Sequence, residues 1–227
     1  MASGVKFDED YLGYDSDINR MGRVLALGGS MDEFAASLKE HEREAGFARQ
    51  YVPIDTHVLA MVFRAATGRS LMEYLGEKIW SKMGSADIPY YLTDGYGVAF
   101  ALGGLNLTTR DYGRFGQLFL DRGKWQGQQI VSADWVSQST AVSAPKSSAE
   151  DDKMQYGYQW WISPNSEGAY FAVGIYGQYI YIDPQADVIV VKTAANRKFR
   201  DDGQSGKLIK LENIAIFRAI AEHYSQL

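Results

Sequence analysis

Residues 174–193 read GIYGQYIYIDPQADVIVVKT. QYIYID and VIVVKT are β-branched and aromatic runs of strand length. The DPQAD between them concentrates turn formers, so the stretch reads as an antiparallel hairpin. Further upstream, Tyr156, Tyr158 and Trp160 alternate with smaller or polar neighbours, which extends the strand-like region back to about residue 156. Downstream, Leu208 to about Tyr224 has helical periodicity, with Leu208, Leu211, Ile214, Ala215 and Ala219 forming one stripe.

The first half of the chain has the helical period instead. Ser30 with Glu33 forms a capping box that opens a helix running to about Glu42 and containing His41. A second helix is expected from Asp55 or Thr56 to Thr67, stopped by Gly68; its dense run Val58, Leu59, Met61, Val62 and Phe63 predicts burial on most sides. Ser70 with Glu73 opens a third helix through Trp80 to Gly84. Thr108 or Thr109 caps a fourth that closes at Gly123, with Gly113 and Gly116 permitting close packing, and Ser132 to Trp135 forms a short fifth. The polar run KSSAEDDK (146–153) marks an internal boundary. Helices, then an antiparallel meander, then a terminal helix define an α+β fold, with residues 1–150 as the helical region and residues 151–227 as the strands and last helix of the same domain.

Composition narrows the function classes. The 227 residues are 46% hydrophobic and 22% charged, enough for one sizeable core. A net charge of −5 argues against nucleic acid or an acidic membrane surface as partner. There is no cysteine, which removes thiolate nucleophiles and disulfides. No apolar run reaches the roughly 20 residues of a membrane span. MASGVKFDED carries no export signal, so a cytoplasmic location is expected if the chain is complete as written, and the location is otherwise open. Zinc-protease, phosphate-loop, dinucleotide and Gly-x-Ser-x-Gly signatures are missing from the sequence. No cofactor or metal is expected. His41, His57 and His223 each fall in an expected helix, where a surface or core-edge role is the simpler reading.

Five phrases stand in order: MASGVKFDEDY (1–11), YVPIDTHVLAMVFRAATGRSLMEYLGEKIWSKMG (51–84), ALGGLNLTTRDYGRFGQLFLDRGKWQGQQIVSADWV (101–136), YGYQWW (156–161), and GIYGQYIYIDP (174–184) with VVKTAAN (190–196). Together they resemble the penicillin-recognising serine hydrolases of the class C β-lactamase type, nearest the 6-aminohexanoate-dimer hydrolases and family VIII esterases. The resemblance implies a partial β-lactamase/transpeptidase-like fold and an acyl-enzyme mechanism on a small ester or amide substrate. A Ser-x-x-Lys helix supplies the nucleophile, and a tyrosine works with the lysine as proton relay. A serine hydroxyl needs such a base at neutral pH.

Carried onto this chain, the resemblance makes Tyr51 the relay tyrosine. It makes the backbone N–H of Ile175 the second oxyanion donor, on a strand where β-lactamases carry Lys-Thr-Gly, and it places Gly174, Tyr176, Gly177 and Gln178 against substrate. Pro53 stands where β-lactamases carry Asn, and Tyr176 where relatives often carry His or a basic residue. Both point away from β-lactam recognition. The family's Ser-x-x-Lys lies upstream of the MASGV phrase. Ser3-Gly4-Val5-Lys6 and Ser143-Ala144-Pro145-Lys146 match literally, but composition alone gives about one such match by chance.

The chain therefore reads as the C-terminal portion of such a hydrolase, too short for the complete enzyme and inactive alone. It is expected to self-associate or to pair with a complementary N-terminal fragment, because an open strand edge, expected at VIVVKT, needs covering. The alternative is a non-catalytic module that keeps the cleft for a sugar or other planar ligand. Its resources would be 15 Tyr and 5 Trp, Trp160 and Trp161 among them.

Overall fold

The structure, a computed structural model, describes residues 1–149, 153–164, 168–196 and 203–226, with backbone only for 203–209. Contacts divide the chain into two units: Met1–Ser81 with Ile88–Asn106 and Ala144–Asp152, and Lys82–Asp87 with Leu107–Ser143 and Lys153–Leu227. Residues 150–152 of the expected boundary loop KSSAEDDK lie outside the described residues.

The first unit holds α1 (Asp17–Ala26), α2 (Met31–Ser37), α3 (Pro53–Thr67), α4 (Leu71–Lys78) and a two-stranded ribbon of β1 (Tyr90–Tyr91) and β2 (Leu105–Asn106). Both capping boxes form: the Ser30 and Ser70 hydroxyls accept from the N–H of Glu33 and Glu73, each at 3.2 Å. Phe7, Ile18, Met21, Met31, Phe34, Val52 and Ile54 close one core. Buried Asp94 ties α2 to the ribbon's loop, accepting from the N–H of Met31, Tyr96 and Val98 at 2.9 Å each.

Three expectations are corrected here. The first helix stops at Ser37 because the next residues pair with the start of the chain: Lys6 N–H donates to Glu40 C=O and Glu42 N–H to Gly4 C=O, both at 2.9 Å. His41 therefore sits in a bridge with Val5 and not on a helix. The second helix starts at Pro53, whose fixed φ and missing N–H suit a first helical turn, and Val52 occupies the cap position. Nor is it buried on most sides, since Val58, Leu59 and Val62 are exposed while Pro53, Ile54, His57 and Ala60 face the core.

The second unit holds α5 (Thr109–Leu120), the ribbon β3 (Lys124–Trp125) and β4 (Gln128–Gln129), and α6 (Ala133–Thr140). These are followed by a five-stranded antiparallel sheet and α7 (Gly203–Tyr224). The sheet strands are β5 (Gln155–Tyr156), β6 (Trp161–Ile162), β7 (Tyr170–Gly174), β8 (Gln178–Asp183) and β9 (Val188–Lys192), arranged in that order. This is the expected α+β class, and the β8–β9 hairpin pairs Asp183 with Val188 through Tyr179 with Lys192 without a break. No helix among the described residues is long and apolar enough to cross a membrane.

The Tyr/Ile alternation of β8 sorts its side chains between two helices. Ile180 and Ile182 join Phe119, Trp160 and Tyr170 in the core under α5. Tyr179 and Tyr181 turn to Phe217 of α7, with ring centroids 5.3 and 5.7 Å away. All four are buried, as a strand covered on both faces must be.

Two expectations fail in this unit. The stretch from Tyr156 to Trp160 is not one alternating strand but a tight hairpin: Tyr158 N–H donates to Ser139 C=O at 2.8 Å, and a Cβ on Gly157 would lie 2.2 Å from that oxygen. The stripe expected on α7 is rotated. Asn213, Ile214, Phe217 and Ala221 are buried, whereas Leu211, Ala215 and Ala219 are exposed, and the Leu208 side chain lies outside the described residues. Phe217 seated on two tyrosines and Asn213 accepting from Lys192 Nζ at 2.6 Å set the rotation.

Candidate functional site

Tyr51 belongs to the first unit and lies two residues before Pro53, where α3 begins. The backbone leading to it is pinned on both sides: Arg49 N–H donates to Lys146 C=O at 2.9 Å, and Gln50 N–H to Met1 C=O at 3.1 Å. Burial, and after it the negative charge of Glu9, pushes the Tyr51 phenol up to about 12. A phenol in that state is a proton donor at neutral pH. To accept a serine proton it needs a cation brought close to it.

Behind Tyr51, α3 is locked to α2 by a polar cluster that helix patterning did not single out. Asp32 accepts from both sides: Arg64 Nη2 lies 2.7 Å from each carboxylate oxygen, and Nε2 of the fully buried His57 is 2.8 Å from Oδ1. His57 Nδ1 has no partner among the described residues. The seven-residue spacing of His57 and Arg64, two helical turns, was the available signal. Burial alone would raise the Asp32 carboxyl, but the hydrogen bonds from Arg64 and then His57 outweigh it and hold the group below its ordinary range.

A carboxyl lowered by folding stabilises above its unfolded pKa and loses that contribution as pH falls through the folded one. Asp32→Asn should therefore lower the unfolding free energy at pH 7 by about 1–2 kcal/mol, for a side chain one-third exposed, and by less at pH 3. Denaturant titrations at the two pH values check this. Equal losses at both would show that the charge does not matter.

The GIYGQ segment lies wholly in the second unit, and it is a turn where a strand was expected. Gly174 ends β7, Gln178 begins β8, and the two pair across a tight turn made of Ile175, Tyr176 and Gly177. Tyr176 is left-handed at φ 63° and Gly177 follows at φ 89°, so the chain reverses within three residues. A non-glycine in that region costs roughly 1 kcal/mol.

What holds it there is a double brace. The Gln178 side-chain amide donates to Ala194 C=O while its oxygen accepts from Ala194 N–H, and Asn196 N–H donates to Tyr176 C=O at 3.0 Å. Gln178 thus spends its side-chain amide on bracing the turn. Ile175 is half exposed at the tip.

Neither Ser-x-x-Lys match is built as a nucleophile. The Ser3 hydroxyl accepts from Val5 N–H in a non-helical segment, and Lys6 is an exposed ammonium bound to Glu40 at 2.7 Å, which raises its pKa, the opposite of what a base requires. Ser143 to Lys146 is loop, with Pro145 inside it. Neither tetrad lies on a helix.

Helices followed by a five-stranded antiparallel sheet and a C-terminal helix make a partial β-lactamase-like fold of the serine hydrolase class. The beta-lactamase family model matches residues 1–212, and the chain belongs to that family. Among curated proteins, the 6-aminohexanoate-dimer hydrolase of Paenarthrobacter ureafaciens is 28% identical over 208 residues, covering 86% of this chain and 53% of that protein. A Bacillus anthracis structure assigned as a 6-aminohexanoate-dimer hydrolase superposes with a TM-score of 0.79 at 28% identity, covering 99% of this chain and 59% of that one. A β-lactamase structure from Mycobacterium bovis shares the fold, with a TM-score of 0.62 at 21% identity over 91% of this chain and 74% of its own. The chain spans about half the length of the curated relative it matches.

Proposed function

We propose that this chain forms the portion of a serine hydrolase that carries the relay tyrosine, Tyr51, and the oxyanion turn, with the Ile175 N–H as a donor. The reaction is acyl transfer from an ester or amide to a serine, followed by hydrolysis. The serine and lysine come from outside these 227 residues. The observation that carries this reading is a family match over residues 1–212 in a chain whose two Ser-x-x-Lys tetrads are both non-helical.

The chemistry then runs as follows. The Tyr51 phenol, pushed up to about 12 in this chain, is lowered by the incoming lysine ammonium and loses its proton to solvent, and the resulting phenolate accepts the serine proton as the hydroxyl attacks the carbonyl. The tetrahedral oxyanion is met by the Ile175 N–H. The leaving alcohol or amine takes up the proton, and water repeats the sequence on the acyl-enzyme. The name of the Paenarthrobacter relative makes a linear amide, the 6-aminohexanoate dimer, the first substrate to test. The rival reading, a sugar-stacking module, loses its two named rings, since Trp160 and Trp161 are buried at 6% and 8% exposure.

A fluorophosphonate probe should leave the chain alone unlabelled. Co-expression with the N-terminal half of a 6-aminohexanoate-dimer hydrolase should restore labelling of that half's serine, and Tyr51→Phe should cut the labelling rate by about 100-fold or more. Stoichiometric labelling of a serine in this chain alone would overturn the reading.

A further inference from the structure

Gln178 sits where two strands part. The β8–β9 ladder ends at the pair Tyr179–Lys192, and one residue earlier Gln178 pairs with Gly174 of β7 across the turn. Beyond Lys192 the chain is gripped by a side chain instead of a ladder. The Gln178 amide meets the peptide groups of Ala194 donor to acceptor on both sides, Nε2 donating to Ala194 C=O and Oε1 accepting from Ala194 N–H at 3.1 Å. A primary amide carries a donor and an acceptor together without charge, so it can stand in for the next step of the ladder.

The gripped segment is itself anchored. The Thr193 hydroxyl lies 2.9 Å from that of Thr109 at the start of α5, and Asn196 N–H donates to Tyr176 C=O at 3.0 Å. Helix α5, residues 193–196 and the turn thus form one hydrogen-bonded chain. The same side chain accounts for Gly174. A Cβ there would stand 2.9 Å from Gln178 Cβ and 3.1 Å from its Cγ, although the glycine's φ of −107° is open to any residue.

Tyr176 supplies the reason the turn needs such a link. A non-glycine at φ 63° stays there only when its surroundings hold it, and relaxation of Tyr176 would re-aim the peptide groups of the turn, that of Ile175 among them. We infer that Gln178 is a positioning residue for acyl transfer: both halves of its amide are engaged with Ala194, so it fixes the Ile175 N–H in place and does not bind substrate. This rests on the acyl-transfer reading above. A donor held in advance stabilises an oxyanion without reorganising, and a displacement of about 1 Å by a residue remote from the chemistry costs on the order of 100-fold in rate.

Co-expressed with the N-terminal half of a 6-aminohexanoate-dimer hydrolase, the chain is assayed on a p-nitrophenyl ester and on its thiono counterpart, in which sulfur replaces the carbonyl oxygen. Sulfur is a weak hydrogen-bond acceptor, so the thiono substrate draws little on an N–H donor. Gln178→Leu keeps the bulk and removes both hydrogen bonds. It should lower kcat for the oxo ester by about 30-fold or more and leave KM within about threefold. The ratio of oxo to thiono turnover should fall by about tenfold, whereas a variant that merely loses stability slows both substrates alike. In the chain alone, Asn196 N–H should exchange at least about tenfold faster in Q178L than in the parent.

Equal losses on the two substrates, a parent-like kcat, or unchanged Asn196 exchange overturns the inference and leaves the acyl-transfer reading standing. A parent complex that turns over neither ester sinks both. Should Q178L not fold, Gln178→Glu, which still accepts from Ala194 N–H but repels Ala194 C=O, is read by the same ratio.

Discussion

Trp160→Ala is expected to destabilise the second unit by about 3–5 kcal/mol, lowering its thermal midpoint by roughly 10 °C or more. The indole is buried against three rings: Phe119 at 4.7 Å, Tyr170 edge-on at 5.1 Å and Phe115 stacked at 6.5 Å. Removing it leaves a void lined by Phe119, Val136, Ile162 and Ile180, side chains anchored on four different elements that cannot collapse together. Its neighbour Trp161 is equally committed, with Tyr156 edge-on at 4.9 Å and the Lys210 ammonium 3.8 Å over its ring. A ligand-stacking tryptophan would behave in the opposite way, since its loss would cost binding and spare the fold. Calorimetry of W160A beside the parent separates the two. An unchanged midpoint would return the ring to the ligand-binding reading.

Much of the fold was legible because its signals are local. A serine three residues ahead of a glutamate caps a helix wherever the chain later packs, and Ser30 and Ser70 both do so. The β8–β9 hairpin was legible for the same reason, as β-branched runs around a Pro-containing turn. What could not be read depends on partners distant in sequence. The α7 stripe is set by where Tyr179 and Tyr181 present a seat for Phe217, and a helix rich in Ile and Ala offers several stripes of similar hydrophobicity. The end of α2 is set by residues 4–6 claiming the backbone of residues 40–42. The apolar run of α3 suggested burial, yet Val58, Leu59 and Val62 face outward, which composition cannot distinguish.

The candidate site was legible in a different way. Tyr51 and GIYGQ were reached by resemblance, since neither spacing nor periodicity marks a tyrosine before a helix as a proton relay. The brace that holds the turn was invisible: nothing in GIYGQ shows that Gln178 spends both halves of its amide on Ala194, sixteen residues later. Nor does sequence alone put Tyr176, as well as the glycine that follows it, in a left-handed conformation. Sequence patterning does not single out Asp32; the structure places His57 and Arg64 around it.

Gly116→Leu should cost the second unit about 3 kcal/mol or more, and its effect should reach the candidate oxyanion turn. An exposed glycine inside a helix normally improves on substitution, by about 1 kcal/mol for alanine. At Gly116 that gain is opposed by contact. A Cβ there would stand 2.9 Å from Ile189 Cγ2 and 3.3 Å from Ile180 Cγ2, and both methyls sit on β-branched side chains with little rotamer freedom. Alanine should come out close to neutral. Leucine adds three more carbons into the seam between α5 and strands β8 and β9, so either the helix lifts or the isoleucines leave their rotamers. Lifting α5 loosens β8, and β8 begins at Gln178, the residue that braces the Ile175–Gly177 turn. Exchange at Gln178–Asp183 should therefore quicken in G116L in step with the lost stability, while α1–α4 amides stay as in the parent. A leucine variant as stable as the parent would mean that α5 does not bear on the sheet as closely as the 2.9 Å approach requires.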